Sequence, residues 1–314
     1  MAAGGRAEAG RRMWTRRRVL AAGIGGATAV IAAGVTGAEL IDHGVLPGKA
    51  KLDALDGACS VPRPALVYSA RGPSFSGTFY SDARRRAVGY MIAYPPGHHT
   101  GDELPLVIML HGYGASHVDA LADMSPAQAV ALKVNGRPLG PMAMVTVDGG
   151  NGYWNPHPGD NPMAMVISEL IPRCRRLGLG RPPQLTGIMG ISIGGYGALL
   201  LAEKYPHLFA AAAAISPAIW TSYQQAKDAN AGAYASAAAY SASNVVTHAT
   251  ALAGLPVRIA AGNDDPFYPG VQALAHALPA GAVVSFGKGC HTGSFFVEQE
   301  PPSLAFLARH LVTQ

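Results

Sequence analysis

The sequence predicts an α/β fold in which helices cover both faces of a mostly parallel, eight-stranded sheet. Short apolar runs recur along the chain, as expected for parallel strands that are buried on both faces. Amphipathic segments of helical length separate these runs, and this alternation is typical of a sheet with helices on both sides. The length of 314 residues and the hydrophobic content of 49% allow one sizeable core. We therefore expect a single folded domain at residues 66–314.

The elements are predicted in the following order. An antiparallel hairpin comes first, with strands at residues 74–81 and 88–94 and a charged turn between them. The buried parallel strands are predicted at residues 106–110, 143–147, 186–191, 210–215, 257–261 and 283–286. Helices are predicted at residues 163–176, 196–204, 271–278 and 302–311. An Ala-rich stretch at residues 220–250 interrupts the alternation, so we expect it to form a small cap segment.

The chain begins with a segment whose composition is typical of an export signal. Residues 1–18 contain six arginines and one acidic residue, and residues 19–38 contain no charge. Thr15, the arginines that follow it and the apolar pair after them resemble the twin-arginine motif. An ordinary secretory signal or a signal anchor is the alternative, because an apolar stretch of this length also suffices to span a bilayer. We expect residues 1–38 to direct the protein to a secreted or cell-envelope location and residues 39–65 to form a linker.

The charge distribution argues against a nucleic-acid partner. The net charge of +5 equals the charge of residues 1–18, and the remaining chain has 18 basic and 18 acidic residues. A protein that binds nucleic acid needs a basic face on its folded domain to displace counterions from phosphates. We therefore expect no nucleic-acid partner, and we expect any membrane association to involve residues 19–38. The sequence does not predict an oligomeric state.

Three cysteines, Cys59, Cys174 and Cys290, allow one disulfide and one remaining thiol in an exported protein. Their positions do not determine which two of them pair. No Cys or His cluster has the spacing of a zinc site. We therefore expect neither a metal ion nor a cofactor.

Residues 190–195 contain a GxSxG motif centred on Ser192. The motif alone is a weak signal, because glycine and serine are abundant in this chain. Its position is more informative, since it follows a predicted buried strand and precedes a helical segment. A strand-to-helix turn of this kind exposes a nucleophilic serine, and glycines two residues before and after it avoid collisions with the packed backbone. Ser192 is therefore the candidate nucleophile.

A serine nucleophile requires a histidine that accepts its proton and a carboxylate that orients the histidine. Of the histidines after Ser192, only His291 follows the last predicted strand, in a glycine-rich loop on the side of the sheet where sites gather. Asp264 and Asp265 follow the predicted strand at residues 257–261. We prefer Asp265 as the acid because it stands three residues after the glycine that ends this strand, and Asp264 is the alternative.

The loop after the predicted strand at residues 106–110 reads His111-Gly112-Tyr113-Gly114. It precedes the serine turn and stands where folds of this type place backbone N–H groups that bind an oxyanion. We expect the N–H groups of Tyr113 and Ile193 to be the two donors. Each such donor typically stabilises the transition state by about 3 kcal/mol.

A long loop rich in glycine and aromatic residues follows another predicted strand, at residues 147–157. Loops at this place commonly line the substrate pocket. Trp154 and His157 are therefore candidate substrate-binding residues. An ordered surface loop without a binding role is the alternative.

These motifs resemble those of the α/β-hydrolase superfamily, and within it the putative-esterase group that includes esterase D and the antigen 85 mycolyltransferases. The resemblance extends over residues 66–314 and is carried by residues 111–114, 190–197, 265–267 and 290–296. It implies the α/β-hydrolase fold, in which the serine, the acid and the histidine occur in that order. It also implies esterase or acyltransferase chemistry through Ser192, Asp265 and His291.

Two departures from the group's pattern favour hydrolysis over acyl transfer. Ile193 stands where the group often has methionine, and an aspartate stands where the mycolyltransferases have a glutamate. The expected function is that of an exported serine esterase that hydrolyses a small-molecule or lipid ester through an acyl-enzyme. A cell-envelope acyltransferase, in which a sugar hydroxyl replaces water, is the alternative. A non-catalytic binding protein on the same scaffold is a further alternative, against which the complete set of candidate residues argues.

Overall fold

The computed structural model describes residues 59–312, and an eight-stranded sheet forms the centre of this part of the chain. Within this range the strands, numbered in chain order, are β1 (Val67–Tyr68), β2 (Ser74–Ser81), β3 (Arg86–Ala93), β4 (Leu106–Leu110), β5 (Leu132–Val134), β6 (Arg137–Pro138), β7 (Ala143–Val147), β8 (Thr186–Ile191), β9 (Ala211–Ile215), β10 (Val257–Gly262) and β11 (Val283–Gly287). The eight strands predicted from the sequence are confirmed, with bounds that differ by no more than two residues.

The central sheet has the strand order β2-β3-β7-β4-β8-β9-β10-β11. From β7 to β11 all neighbours are parallel, whereas β3 is antiparallel to both β2 and β7. β4 lies between β7 and β8. The chain therefore adds β7 on one side of β4 and later adds β8 on its other side. The carboxyl ends of β4 and β8 thus flank a topological switch point, which is where sheets of this kind bind ligands.

The central strands are apolar throughout because each of them borders two hydrophobic cores. In β4, Leu106, Ile108 and Leu110 contribute to one core, and Val107 and Met109 contribute to the other. All five side chains are fully buried. Because successive side chains of a strand point to opposite faces, a strand covered on both sides shows a continuous apolar run.

Helices cover both faces of the sheet. In the described part of the chain they are α1 (Pro126–Ala129), α2 (Pro162–Ala164), α3 (Ile171–Arg176), α4 (Ile193–Lys204), α5 (Tyr223–Ala229), α6 (Ala237–Ala242), α7 (Tyr268–Ala277) and α8 (Gly293–Leu311). A π-helical segment, Met165–Leu170, joins α2 to α3, and short 3-10 helices lie at Pro206–Leu208 and Ala249–Leu252. Side chains of α4 and α7 enter the first core, and those of α1 and α8 enter the second. The predicted α/β fold with helices on both faces is confirmed.

The C-terminal helix is longer than the sequence predicts. We expected it to begin at residue 302, because proline usually interrupts a helix, but α8 begins at Gly293 and continues through Pro301 and Pro302. The first part of α8 buries Phe295 and Val297. The free energy gained by burying these side chains outweighs the cost of the backbone hydrogen bonds that the two prolines cannot make. Tertiary packing therefore overrides local helix propensity here.

A second, three-stranded sheet of order β1-β5-β6 was not predicted. Its strands are only two or three residues long. Runs of this length show no recognisable hydrophobic period, so the sequence contains no usable signal for them.

The predicted cap segment at residues 220–250 contains α5 and α6. It packs against α4 and against the loop after β7 through a cluster of tyrosines. The hydroxyl of Tyr196 donates a hydrogen bond to the carbonyl oxygen of Ser243 at 2.6 Å. The ring of Tyr234 lies 5.6 Å from that of Tyr153 and 6.1 Å from that of Tyr196.

The predicted export signal at residues 1–38 and most of the predicted linker at residues 39–65 lie outside the described residues. The end of the linker that is described contains no helix or strand, and its Cys59 forms a disulfide with Cys290. Cys174 is free and buried. Within residues 59–312, no helix has both the length and the hydrophobicity to cross a bilayer.

Candidate active site

Ser192 lies at a strained turn between β8 and α4. Its backbone has φ 57° and ψ −122°, in the left-handed half of the conformational map that favours glycine. The backbone N–H of Ser192 donates to the carbonyl oxygen of Ile215 at 3.0 Å, which ties the turn to the neighbouring strand. This conformation places the serine side chain at the carboxyl end of the sheet.

The two glycines of the motif are required by close backbone contacts. A Cβ atom at Gly190 would overlap the backbone of Gly194. A Cβ atom at Gly194 would in turn overlap the carbonyl oxygen of Leu110, at the end of β4. The sequence-based explanation for both glycines is therefore confirmed, and the tight turn depends on both.

The structure brings Ser192, His291 and Asp265 together. His291 Nε2 lies 2.9 Å from Ser192 Oγ, and His291 Nδ1 lies 2.8 Å from Asp265 Oδ2. Because a carboxylate can only accept, Nδ1–H donates to Asp265, and Nε2 is left to accept the serine proton. The other oxygen of Asp265 accepts the backbone N–H of Phe267 at 2.8 Å, which fixes the carboxylate. The backbone N–H of Asp264, the alternative acid, donates to the carbonyl oxygen of Gly289 at 3.0 Å and so joins the two loops.

The histidine is accessible and the aspartate is not. The side chain of His291 is 22% exposed, whereas that of Asp265 is 0% exposed. The rings of Phe267 and Phe296 each lie 5.0 Å from the His291 ring in edge-to-face contact. Exclusion of water strengthens the hydrogen bond between histidine and aspartate, since charges interact more strongly at low dielectric. A ligand can still reach the imidazole.

The two predicted oxyanion donors belong to segments that lie beside Ser192. A Cβ atom on Gly112 would be 3.6 Å from Ser192 Cβ, so the loop that carries Tyr113 packs against the serine. Ile193 is the first residue of α4, and the first N–H groups of a helix have no acceptor within the helix. The positive end of the helix dipole also lies here and favours developing negative charge.

His111 holds the loop of Tyr113 in place. Its Nε2 accepts the backbone N–H of Gly149 at 2.9 Å, and its Nδ1 therefore carries the proton and donates to the carbonyl oxygen of Gly112 at 2.7 Å. Burial lowers the pKa of His111, which keeps the imidazole neutral and its tautomer defined. His111 belongs to the motif at residues 111–114, but nothing in the sequence indicates this role. No local pattern reveals that it bonds to a loop 38 residues away.

Arg84 was also missed and holds the loop after β7 from the other side. It is buried, its Nη1 donates to the carbonyl oxygen of Asp148 at 2.6 Å, and its Nε pairs with Asp160 at 2.7 Å. Through this hydrogen bond and this partly buried ion pair, Arg84 joins the hairpin turn between β2 and β3 to both ends of the loop after β7. Since Arg84 stands in a charged turn of the sequence, only its burial distinguishes it from an ordinary surface arginine.

Trp154 does not line a pocket, so this part of the prediction is wrong. Its side chain is fully buried, and its indole N–H donates to the carbonyl oxygen of His111 at 3.3 Å. The ring fits against Gly149 and Gly197, where any side chain would collide with it. Trp154 therefore supports the loop of Tyr113 from within the core.

His157 closes the long loop on itself. Its Nε2 lies 2.9 Å from the carbonyl oxygen of Gly152, and its backbone exchanges hydrogen bonds with Asp160. These contacts do not reach Ser192 or His291. These contacts give His157 a local structural role, and its contact with a ligand stays a prediction.

A cleft of about 520 Å³ lies next to the site, between the cap segment and the loop after β10. Trp220 forms one wall, and its ring lies 4.7 Å from the ring of Phe267, which in turn contacts His291. The indole N–H of Trp220 donates to the hydroxyl of Tyr153 at 2.8 Å, which holds the ring in place. The other lining residues are Ile219, Thr221, Gln225, Asp228, Ala229, Pro266, Pro269 and Gly270.

A sheet of this strand order, with a serine at a strained turn beside a histidine paired to an aspartate, defines an α/β-hydrolase fold with the site of a serine hydrolase. A family model described as "Putative esterase" matches residues 81–280, and the chain belongs to this family. The family and the geometry at Ser192 together make the protein a serine hydrolase that acts on ester bonds.

Solved structures of other hydrolases share the fold. The chain resembles a ferulic acid esterase with a TM-score of 0.60 and 19% identity, over 77% of this chain and 99% of that one. It resembles an S-formylglutathione hydrolase from Agrobacterium tumefaciens with a TM-score of 0.63 and 16% identity, over 80% and 100% of the two chains. It also resembles a fluorophosphonate-binding serine hydrolase of Staphylococcus aureus, with a TM-score of 0.60 and 13% identity over 76% and 99%. No curated protein sequence matches significantly.

Proposed function

We propose that the protein is an exported serine esterase that hydrolyses carboxylic esters through an acyl-enzyme on Ser192. The hydrogen-bonded triad of Ser192, His291 and Asp265 carries this proposal. His291 Nε2 lies 2.9 Å from Ser192 Oγ, and His291 Nδ1 lies 2.8 Å from Asp265 Oδ2. Such a series activates a hydroxyl group that would otherwise be a weak nucleophile.

The reaction proceeds in two halves. Ser192 Oγ attacks the ester carbonyl carbon while His291 Nε2 takes the hydroxyl proton. The bond to the alcohol then breaks as His291 returns this proton to the leaving oxygen, and the acyl group remains on Ser192. Water attacks the acyl-enzyme and gives a proton to His291, after which the acid leaves and Ser192 is restored. Asp265 stabilises the imidazolium that forms in each half.

Negative charge on the carbonyl oxygen is stabilised by the backbone N–H groups of Ile193 and Tyr113. Both belong to segments that touch the serine turn, and His111 keeps the loop of Tyr113 rigid. Preorganised donors are effective because they require no rearrangement as the charge develops.

The cleft beside Trp220 accepts part of the substrate and favours a neutral one. Among the described residues that line the cleft, Asp228 is the one with a charged side chain. Its carboxylate repels anionic groups of a substrate. We therefore expect neutral esters to be better substrates than thioesters of an anionic peptide such as glutathione. A chain-length series of p-nitrophenyl esters, compared with S-formylglutathione by kcat/KM, tests this preference.

Export is supported by the composition of residues 1–38 and by the disulfide. Disulfides persist in oxidising compartments and are rare in the reducing cytoplasm of most organisms. The site needs no cofactor for the reaction proposed.

The decisive experiment is labelling with a fluorophosphonate probe together with p-nitrophenyl acetate hydrolysis. We expect the probe to modify Ser192, and the Ser192→Ala variant to lose both labelling and about 10⁶-fold in kcat. Ser294→Ala is the matched control, since this partly exposed serine lies near the site and contacts Thr292. Folded wild-type protein that neither reacts with the probe nor hydrolyses any ester would contradict the proposal.

A further inference from the structure

We propose that the disulfide between Cys59 and Cys290 positions His291, so that esterase activity depends on the oxidised state of this one bond. The inference rests on the proposed function. Cys290 directly precedes His291 in the chain, and Cys59 lies 231 residues away, at the beginning of the described segment.

Among the described residues, the strand that precedes His291 has a neighbour on one side only. β11 is the last strand of the sheet and pairs with β10. Val283 and Val284, at the beginning of β11, are 42% and 40% exposed. The loop after β11, residues 288–292, therefore has no neighbouring strand on its outer side, unlike the loops that carry Ser192 and Asp265.

The inner side of this loop is well anchored. The carbonyl oxygen of Gly287 accepts the N–H of Asn263 at 2.8 Å, and that of Gly289 accepts the N–H of Asp264 at 3.0 Å. These two hydrogen bonds join the histidine loop to the loop that carries Asp265. They fix the spacing of the two loops but leave the outer side of the histidine loop open.

The segment at residues 59–61 supplies the outer contacts. The disulfide attaches it to Cys290, which is buried. The side chains of Val61 and of Phe295, in α8, both pack on the backbone of Gly289, where a Cβ atom would lie 3.1 Å from Val61 Cγ2 and 2.5 Å from Phe295 Cδ2. The segment thus takes the place of the missing strand neighbour and, together with Phe295, holds the two residues before His291 against the sheet.

Loss of the clamp is expected to impair catalysis more than binding. Dithiothreitol reduces the disulfide to two thiols by transfer of two electrons and two protons and is itself oxidised to its cyclic disulfide. The loop can then move outward, and a displacement of about 1 Å between a catalytic base and its nucleophile reduces the rate by about 100-fold. Cys174 does not contribute, because burial raises the pKa of its thiol to about 12 and the side chain is inaccessible.

The test compares the purified exported wild type, oxidised and reduced, with the Cys59→Ala variant. This variant removes the bond but leaves the residues around His291 unchanged. Cys174→Ala is the matched control. For each protein, kcat and KM for p-nitrophenyl acetate, the rate of fluorophosphonate labelling and the near-ultraviolet circular dichroism spectrum are measured.

We expect reduction and Cys59→Ala each to lower kcat and the labelling rate by about 10- to 100-fold, with KM within about twofold and the spectrum retained. Reoxidation is expected to restore the wild type but not the variant, and Cys174→Ala is expected to behave as the wild type in both states. Unchanged kcat after reduction would overturn the inference. So would parallel loss of activity and of the spectrum, because the bond would then maintain the fold instead of the loop. Failure of the proposed function differs from both, since the oxidised wild type would then show no turnover and no labelling.

Discussion

At the scale of single residues, the candidate site combines one enclosed charge with one accessible base. Asp265 is shielded from water and receives hydrogen bonds from His291 and from the backbone of Phe267. His291 is open on the side of Ser192. The aspartate therefore determines the tautomer of the imidazole, and the imidazole performs the proton transfers.

Replacement of Asp265 is expected to affect chemistry and to leave binding intact. In Asp265→Asn, the amide can donate to Nδ1, which favours the tautomer that has its proton on Nε2 and cannot accept from Ser192. We expect kcat to fall by about 10⁴-fold and KM to change little. Steady-state kinetics with p-nitrophenyl acetate measures both values.

Asp264→Asn is the matched control for this prediction, because it makes the same change one residue earlier in the loop. We expect its kcat to stay within about threefold of the wild type, in contrast to the loss expected for Asp265→Asn. If Asp264→Asn were the more damaging of the two, Asp264 would be the acid and the preference derived from the sequence would be wrong.

At the scale of secondary structure elements, α4 combines function at one end with a stability cost at the other. Its first turn carries Ser192 as the N-cap and the Ile193 N–H. Near its last turn, Glu203 is buried, and both of its carboxylate oxygens have no hydrogen-bond partner among the described residues. Burial raises the pKa of Glu203 to about 8, so the group is neutral in the folded protein over most of the physiological range.

The raised pKa predicts that Glu203 makes stability fall as pH rises. Below pH 4.5 the group is protonated in both the folded and the unfolded chain. Between about pH 4.5 and 8 the unfolded chain has lost this proton and the folded chain retains it, so unfolding becomes more favourable with increasing pH.

The variant Glu203→Gln lacks this titration. For each pH we take the free energy of unfolding of the variant minus that of the wild type. We expect this difference to be about 2 to 4 kcal/mol larger at pH 8 than at pH 5. Urea unfolding of both proteins at the two pH values measures this difference. Asp82→Asn, at an exposed position of the turn between β2 and β3, controls for the mere removal of a carboxylate. An equal stability difference at pH 5 and pH 8 would show that Glu203 does not titrate as its burial requires.

At the scale of the whole molecule, the net positive charge lies in a different part of the sequence from the folded domain. The net charge of +5 belongs to residues 1–18, and the rest of the chain is neutral. The one disulfide of the described residues lies in the domain and depends on an oxidising compartment. These two observations support the proposal that the arginines are a signal for export and not a surface for a partner.

Export by the twin-arginine pathway is expected to require Arg16 and Arg17. In Arg16→Lys/Arg17→Lys the charge is retained, and an ordinary secretory signal would still function. We expect the wild type to appear in the exported fraction of a host that has this pathway, and the double variant to remain in the cytoplasm. Immunoblots of the two fractions measure this. Export of the double variant at the wild-type level would favour the ordinary secretory signal or the anchor.

Much of the fold was predictable because its signals are local. The eight strands of the central sheet were placed within two residues, since a buried strand is a short apolar run between turn residues. The turn at Ser192 was predictable for the same reason: the glycines at positions 190 and 194 are demanded by contacts within and just beside the turn. The start of α8 was not, because burial of Phe295 outweighs the two prolines that mark a break in the sequence.

The order of the strands and helices can be predicted from the sequence, and so can the grouping of Ser192, Asp265 and His291, because each of these residues follows a recognisable strand. The pairing of Cys59 with Cys290, the burial of Trp154 in the core and the support that His111 and Arg84 give to the loops around the site are visible only in the folded protein. Each of these depends on two segments far apart in the chain meeting in space. Disulfides, hydrogen bonds and packing contacts between segments far apart in the chain leave no periodic trace in the sequence, so the order of residues cannot reveal them.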